Sequence, residues 1–108
     1  MVAFEKFFEA LQVRMEVLAR SNWKDFVDAA EQDGKAYLEE IKEDLRRWTK
    51  LLAGGRLKKD EFRILVGSTE DLIKLTALRR AGLSQVRLKF FKTTVIGLVA
   101  DTACDLFL

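Results

Sequence analysis

Apolar residues recur every three to four positions along almost the whole chain, and none of its 108 residues is proline. This spacing places apolar side chains on one face of an α-helix, and proline is the residue that would interrupt such helices. No run shows the alternating pattern of a strand bounded by hairpin turns. We therefore predict an all-α fold, a helical bundle formed by residues 1–108 as a single domain.

The periodicity predicts five helices. The second of them is long, ends at Gly54–Gly55 and forms a long helical hairpin with its neighbours. Its weakest point is Asp33–Gly34, because glycine lowers helix stability. The five predicted helices cover residues 2–20, 22–53, 60–66, 69–81 and 84–107.

Two of the breaks between these helices have alternatives. Ser21 or Asn22 is expected to cap the second helix, but the apolar spacing also fits one continuous helix across this point. Ala81–Gly82 is expected to end the fourth helix and Ser84 to cap the last one, and again the pattern permits an unbroken helix. The sequence alone leaves both alternatives open.

The turn after Gly54 carries a short motif. Gly55, Leu57, Glu61 and Phe62 follow the order helix–Gly–x–Leu–x–x–x–Glu–Phe. This segment resembles the turn of SHOCT-type short oligomerisation motifs, although Lys58 stands where that motif has a capping Thr or Ser. The resemblance covers residues 55–62 and implies a helix, a turn and a second helix.

The last helix is apolar around most of its circumference when it is projected at 100° per residue. One stripe contains Leu88, Phe91, Val95, Leu98, Val99, Thr102 and Leu106. A second stripe contains Val86, Phe90, Thr93, Gly97, Ala100 and Cys104. A helix of this kind requires cover on more than one side.

The remaining helices each offer only one good apolar stripe, so a second copy of the chain is the simplest cover for the other side. We therefore expect a homo-oligomer, with a dimer favoured, completed by the apolar C-terminal helix. Phe90 and Phe91 are both expected to pack in a core. The expected self-association interface consists of Val95, Gly97, Leu98, Val99, Ala100, Cys104 and Leu106.

Composition removes several kinds of chemistry. The chain has no histidine and one cysteine. A Ser-His-Asp triad, a Cys-His pair and a histidine-containing metal site all need residues that are missing. One cysteine cannot form a disulfide framework or a four-cysteine metal centre. We therefore expect no enzymatic activity, no cofactor and no metal site.

Charge is distributed unevenly along the chain. Residues 1–45 contain 6 Lys/Arg and 11 Asp/Glu, and residues 46–108 contain 13 Lys/Arg and 6 Asp/Glu. The split can hold two halves or two copies together, or it can leave a basic face for an anionic partner. The residues for the polyanion alternative are Arg46, Arg47, Lys50, Arg56, Lys58 and Lys59, joined by the basic run from Arg79 to Lys92.

The leading hypothesis is a non-enzymatic assembly or interaction protein of unknown partner, with nucleic acid disfavoured and polyanion binding as the alternative. The most apolar stretch, Thr93 to Leu108, is 16 residues long and contains Asp101 and Asp105. A membrane span needs about 20 apolar residues. We therefore expect no membrane span and a cytoplasmic location.

Overall fold

A computed structural model describes residues 3–108 as six α-helices and two 3₁₀ turns. The helices are α1 (Phe4–Asn22), α2 (Val27–Glu40), α3 (Lys42–Ala53), α4 (Lys59–Gly67), α5 (Thr76–Arg80) and α6 (Gln85–Phe107). The 3₁₀ turns lie at Lys24–Phe26 and Glu70–Leu72. No strand occurs within these residues, and the predicted all-α class is confirmed.

The core lies between α6 and the helices that pack around it, chiefly α1 and α4, while α2 packs on α1. Phe7 of α1 meets Phe107 of α6 edge to face, with ring centroids 5.2 Å apart. At the other end of α1, Trp23 meets Phe91 edge to face at 5.4 Å. Aromatic pairs of this geometry add stability beyond the burial of their area, and these two fix both ends of α6 against α1.

The predicted break between the first two helices is confirmed, and it occurs at Trp23. This residue leaves the helical region with φ −128° and ψ 46°, and its side chain is fully buried. The expected caps Ser21 and Asn22 are wrong, because both belong to α1. The predicted start of the first helix at residue 2 lies outside the described residues.

The predicted helix over residues 22–53 is wrong as one element, because the structure divides it at Ile41. This residue has φ −100° and ψ 6°, and the bend accompanies complete burial of its side chain. The break does not fall at Gly34, where a Cβ atom would lie 2.5 Å from the sulfur of Met15. Gly34 therefore permits the close approach of α2 to α1 rather than ending a helix.

The predicted helix over residues 69–81 is also wrong, because only Thr76–Arg80 is α-helical there. Ile73 adopts an extended backbone, with φ −78° and ψ 95°, and Ile73 and Leu75 are both buried. Burying these two side chains outweighs the local helical pattern, since tertiary context overrides propensity.

The predicted helix over residues 60–66 and the predicted break at Ala81–Gly82 both agree with the structure. The predicted helix over residues 60–66 is present as α4, whose first turn is closed by a 2.9 Å bond from the Lys58 backbone N–H to the Glu61 carboxylate. The chain reverses at Gly82, with φ 92°, a conformation that favours glycine. The Ser84 hydroxyl then accepts a hydrogen bond from the Arg87 N–H and caps α6, as predicted.

Asp33 of α2 holds the start of α5. Its two carboxylate oxygens accept hydrogen bonds from the backbone N–H groups of Ala77, at 3.0 Å, and Leu78, at 2.8 Å. The side chain is buried. These bonds satisfy two donors that a helix N-terminus leaves without partners, and they tie the segment before α6 to α2.

Replacing Asp33 with Ala leaves the buried Leu78 N–H and the part-buried Ala77 N–H without their acceptor. We expect the free energy of unfolding to fall by about 2–4 kcal/mol, because unsatisfied buried donors are costly. Urea denaturation followed by circular dichroism measures this change. Gln32→Ala, at an exposed neighbouring position of α2, is the control and should change little. Equal midpoints for Asp33→Ala and the wild type would contradict this role.

Tyr37 forms a second buried link from α2. Its hydroxyl lies 2.5 Å from Thr69 Oγ1, and the Thr69 hydroxyl donates to the Val66 carbonyl at 2.6 Å. Burial raises the pKa of Tyr37 to about 12, against the opposing effect of the Thr69 bond.

This raised pKa predicts a loss of stability in alkali. The folded-state pKa of Tyr37 lies above the ordinary value of 10.0. Its contribution is therefore complete below pH 10 and disappears as the pH rises from about 10 to about 12. Between about pH 10 and about pH 12, the melting temperature should fall more steeply with pH for the wild type than for Tyr37→Phe. Parallel curves for the two proteins would contradict the assignment.

Candidate interaction surface on the C-terminal helix

The core side of α6 is covered by the chain itself. Val95 and Val99 are fully buried and Ala100 is nearly so, while Leu98 and Leu106 are half-buried and pack against the core. These five residues of the expected self-association interface thus belong to, or border, the core of one chain. The other two, Gly97 and Cys104, are half-buried.

Ion pairs fix the C-terminal half of α6 in place. Arg14 of α1 donates to Asp105 and to Thr102, both at 3.1 Å. Arg63 of α4 donates to Asp101 at 2.6 Å. The hydrogen bond to Asp101 raises the pKa of Arg63 above its ordinary value. Both aspartate side chains remain about three-fifths exposed, at 62% for Asp101 and 61% for Asp105.

The N-terminal half of α6 carries an exposed apolar ridge. Val86 is 81% exposed and Phe90 is 59% exposed. Thr93, one turn further, is also exposed, and a Cβ atom built on Gly97 would meet nothing within 4 Å. Positions 86, 90, 93 and 97 share one side of a helix. We call these four residues the α6 ridge.

The expectation that Phe90 packs in the core is wrong, whereas the same expectation for Phe91 is confirmed. Phe91 is 1% exposed. The indole of Trp23 occupies the space beside it, and Phe90 reaches only the rim of that contact, with ring centroids 6.0 Å apart. A helical projection places the two phenylalanines on different stripes, but it does not show which stripe the other helices cover.

Arg87 borders the α6 ridge on one side. Its guanidinium lies 4.9 Å from the centroid of the Trp23 ring and 5.5 Å from that of Phe26. A guanidinium over aromatic faces is held electrostatically while its edges still face water. The ridge therefore has a positive charge fixed at its edge.

A basic cleft lies at the same end of α6. It has a volume of about 230 Å³ and lies between α5, the start of α6 and the turn at Glu70–Leu72. Leu75 and Leu88, both buried, line its apolar part. The polar lining consists of Glu70, Arg79, Gln85, Lys89 and Lys92. The sequence groups three of these residues in a basic run but gives no signal for Glu70, which comes from the turn before Ile73, or for Gln85, the first residue of α6.

The six residues of the polyanion alternative are all exposed, but they do not form one free basic patch. Arg46 is paired with Glu5 at 3.3 Å and with Glu43 at 3.5 Å. It also lies 4.4 Å from the centroid of the Phe4 ring. Arg47 is paired with Asp44 at 2.8 Å. Within the described part of the chain, the remaining four make no ion pair: Lys50, Arg56, Lys58 and Lys59.

The acidic residues 1–45 and the basic residues 46–108 form few ion pairs with each other. Among the described residues, only Arg46 and Arg47 of residues 46–108 pair with acids of residues 1–45, and the Arg46–Glu5 pair alone joins two different helices. The Arg14–Asp105 pair has the opposite sense. Residues 72–100 contain six Lys/Arg and no Asp/Glu. The basic end therefore keeps charge that its own chain does not neutralise.

Comparisons with protein families, curated proteins and solved structures each find no match to this chain. None of the helices within residues 3–108 combines the length and apolar character needed to cross a bilayer. The same residues contain no group of three or more His, Cys, Asp or Glu placed to hold a metal ion. The N-terminal end of α6 combines the exposed apolar ridge with the basic cleft.

Proposed function

We propose that this chain is a non-enzymatic helical interaction protein that associates with a second copy of itself through the α6 ridge. The observation that carries the proposal is the contrast along one helix. Phe91 and Val95 are buried by their own chain, whereas Val86 and Phe90 are exposed to solvent. Large apolar side chains clustered on an exposed helix face are typical of interaction surfaces.

Charge favours a second copy as the partner. Arg87 borders the ridge in the N-terminal half of α6, and Asp101 and Asp105 lie in its C-terminal half. In an antiparallel pairing of two α6 helices, Arg87 of each copy lies along the acidic half of the other, while Lys89 and Lys92 line the basic cleft on another side of the helix. Such complementary charge fixes the orientation of an interface.

Shape favours the same arrangement. The open space at Gly97 allows a second helix backbone to approach closely near the centre of the crossing. In that register Phe90 of one copy lies opposite the half-buried Cys104 of the other. Fully burying Val86 and Phe90 contributes about 1.5–3 kcal/mol each, and a two-fold axis doubles the contribution.

Two variants test this interface. Phe90→Glu places a charge in the contact and should shift the protein from dimer to monomer. Gly97→Leu fills the space needed by the second helix and should also give monomer. Because this glycine is open in a single chain, the leucine should raise monomer stability by about 0.5–1 kcal/mol through helix propensity. Light scattering coupled to size exclusion measures the mass, and thermal unfolding measures the stability.

Ile64→Glu is the matched control, since Ile64 is 72% exposed but lies on α4. It should leave the mass of the dimer unchanged. A wild-type protein that remains monomeric at high concentration would overturn the proposal. An unchanged dimer mass in both α6 variants would show that the copies meet elsewhere.

Polyanion binding is the second candidate, and the acid-free stretch over residues 72–100 favours it. If it is correct, the protein binds a short nucleic acid duplex with an affinity that falls steeply as salt rises, because phosphate contacts release counterions. Fluorescence anisotropy at two salt concentrations measures this. The self-association proposal expects no binding at physiological salt. Sub-micromolar binding there, weakened by Lys58→Glu with Lys59→Glu, would reverse the order of the two candidates.

A further inference from the structure

The basic cleft beside α5 brings like charges together without a counter-charge that balances them. Arg79 comes from the last turn of α5, and Lys89 and Lys92 come from one side of α6. Within residues 3–108 none of the three makes an ion pair. Elsewhere in the same chain, Arg14, Arg46 and Arg63 each reach an acid within 3.3 Å.

One acid, Glu70, also lines the cleft, so three cations and one carboxylate leave a net charge of +2 there. The cations repel one another, and an anion with two negative charges would balance them. A helix bundle can avoid this cost by spreading its lysines around the surface. Here the three cations instead share a concave site whose apolar part is formed by Leu75 and Leu88.

We propose that this cleft binds a doubly charged phosphate group, as found on a phosphomonoester. A guanidinium can donate two parallel hydrogen bonds to two phosphate oxygens, and lysines act as point charges on the others. The Gln85 amide can donate a further hydrogen bond. A single carboxylate offers only one negative charge and would leave part of the site's charge unbalanced.

The size of the cleft limits what else the ligand can place there. A volume of about 230 Å³ lies below the range of about 300–1,000 Å³ that encloses drug-sized ligands. The cleft therefore accommodates the phosphate and a few attached atoms. Glu70 repels a second anionic group on its side and can instead accept a hydrogen bond from a hydroxyl next to the phosphate.

Phosphate of this kind could come from a soluble metabolite or from a lipid headgroup, and two probes distinguish these sources. The first is glycerol 3-phosphate, measured by isothermal titration calorimetry. The second is phosphatidylcholine vesicles with and without phosphatidic acid, measured by co-sedimentation. We expect saturable binding of at least one probe that weakens as salt rises, because the contacts are electrostatic.

Paired variants locate the site. Lys89→Gln with Lys92→Gln removes two charges from the cleft and should weaken binding by about tenfold or more. Lys58→Gln with Lys59→Gln removes the same charge at the turn before α4 and should leave the affinity within about twofold. Circular dichroism checks that both proteins remain helical, which is expected because all four lysines lie at or near the surface.

The outcomes separate cleanly. Binding of either probe that is lost only in the Lys89 and Lys92 variant supports the cleft and identifies its source. Equal weakening in both variants would mean that net charge alone attracts the anion, and it would overturn the proposal. Absence of saturable binding to both probes at millimolar concentration would overturn it as well. The inference goes beyond self-association, since Phe90→Glu tests the dimer while leaving all three cations of the cleft in place.

Discussion

The uneven cover of α6 is the constraint on which the rest of the structure depends. This helix buries Leu88, Phe91, Val95 and Val99 in one line, and the hydrophobic effect requires that line to be covered. α1 supplies the longest cover and is held at both ends by aromatic pairs. α2 then packs on α1, and it can approach closely because Gly34 has no Cβ atom to collide with Met15. Each helix is therefore placed directly or indirectly by the core face of α6.

Two buried polar contacts from α2 determine the path of the chain between α4 and α6. Tyr37 holds Thr69 at the end of α4, and Asp33 holds the first N–H groups of α5. Buried hydrogen-bonded groups of this kind specify one arrangement, because losing a partner costs more than the bond contributes. They fix where Arg79 lies relative to α6, and so the basic cleft is a consequence of the α2 contacts.

The sequence predicts α1 and α6 best, but the equally periodic stretch over residues 22–53 gives no signal for the break at Ile41. α1 and α6 follow from periodicity, and the start of α6 follows from Gly82 and Ser84. The structure of residues 69–81 could not be predicted from local pattern, because the burial of Ile73 and the hydrogen bonds to Asp33 depend on residues far away in the sequence. The pattern also identified two stripes on α6, but only the fold shows that Val95 lies inside one chain and Phe90 outside it. The cleft residue Glu70 carries no sequence signal for its role.

Hydroxyl-radical footprinting of two adjacent phenylalanines tests most directly whether copies of the chain cover the open side of α6. Phe91 is buried within one chain and Phe90 is exposed, so the pair provides its own internal control. The account predicts that the oxidation rate of Phe90 is high in dilute protein and falls as the concentration rises. The rate for Phe91 should stay low throughout. A Phe90 rate that remains high at every concentration, or one as low as that of Phe91 in dilute protein, would contradict the account.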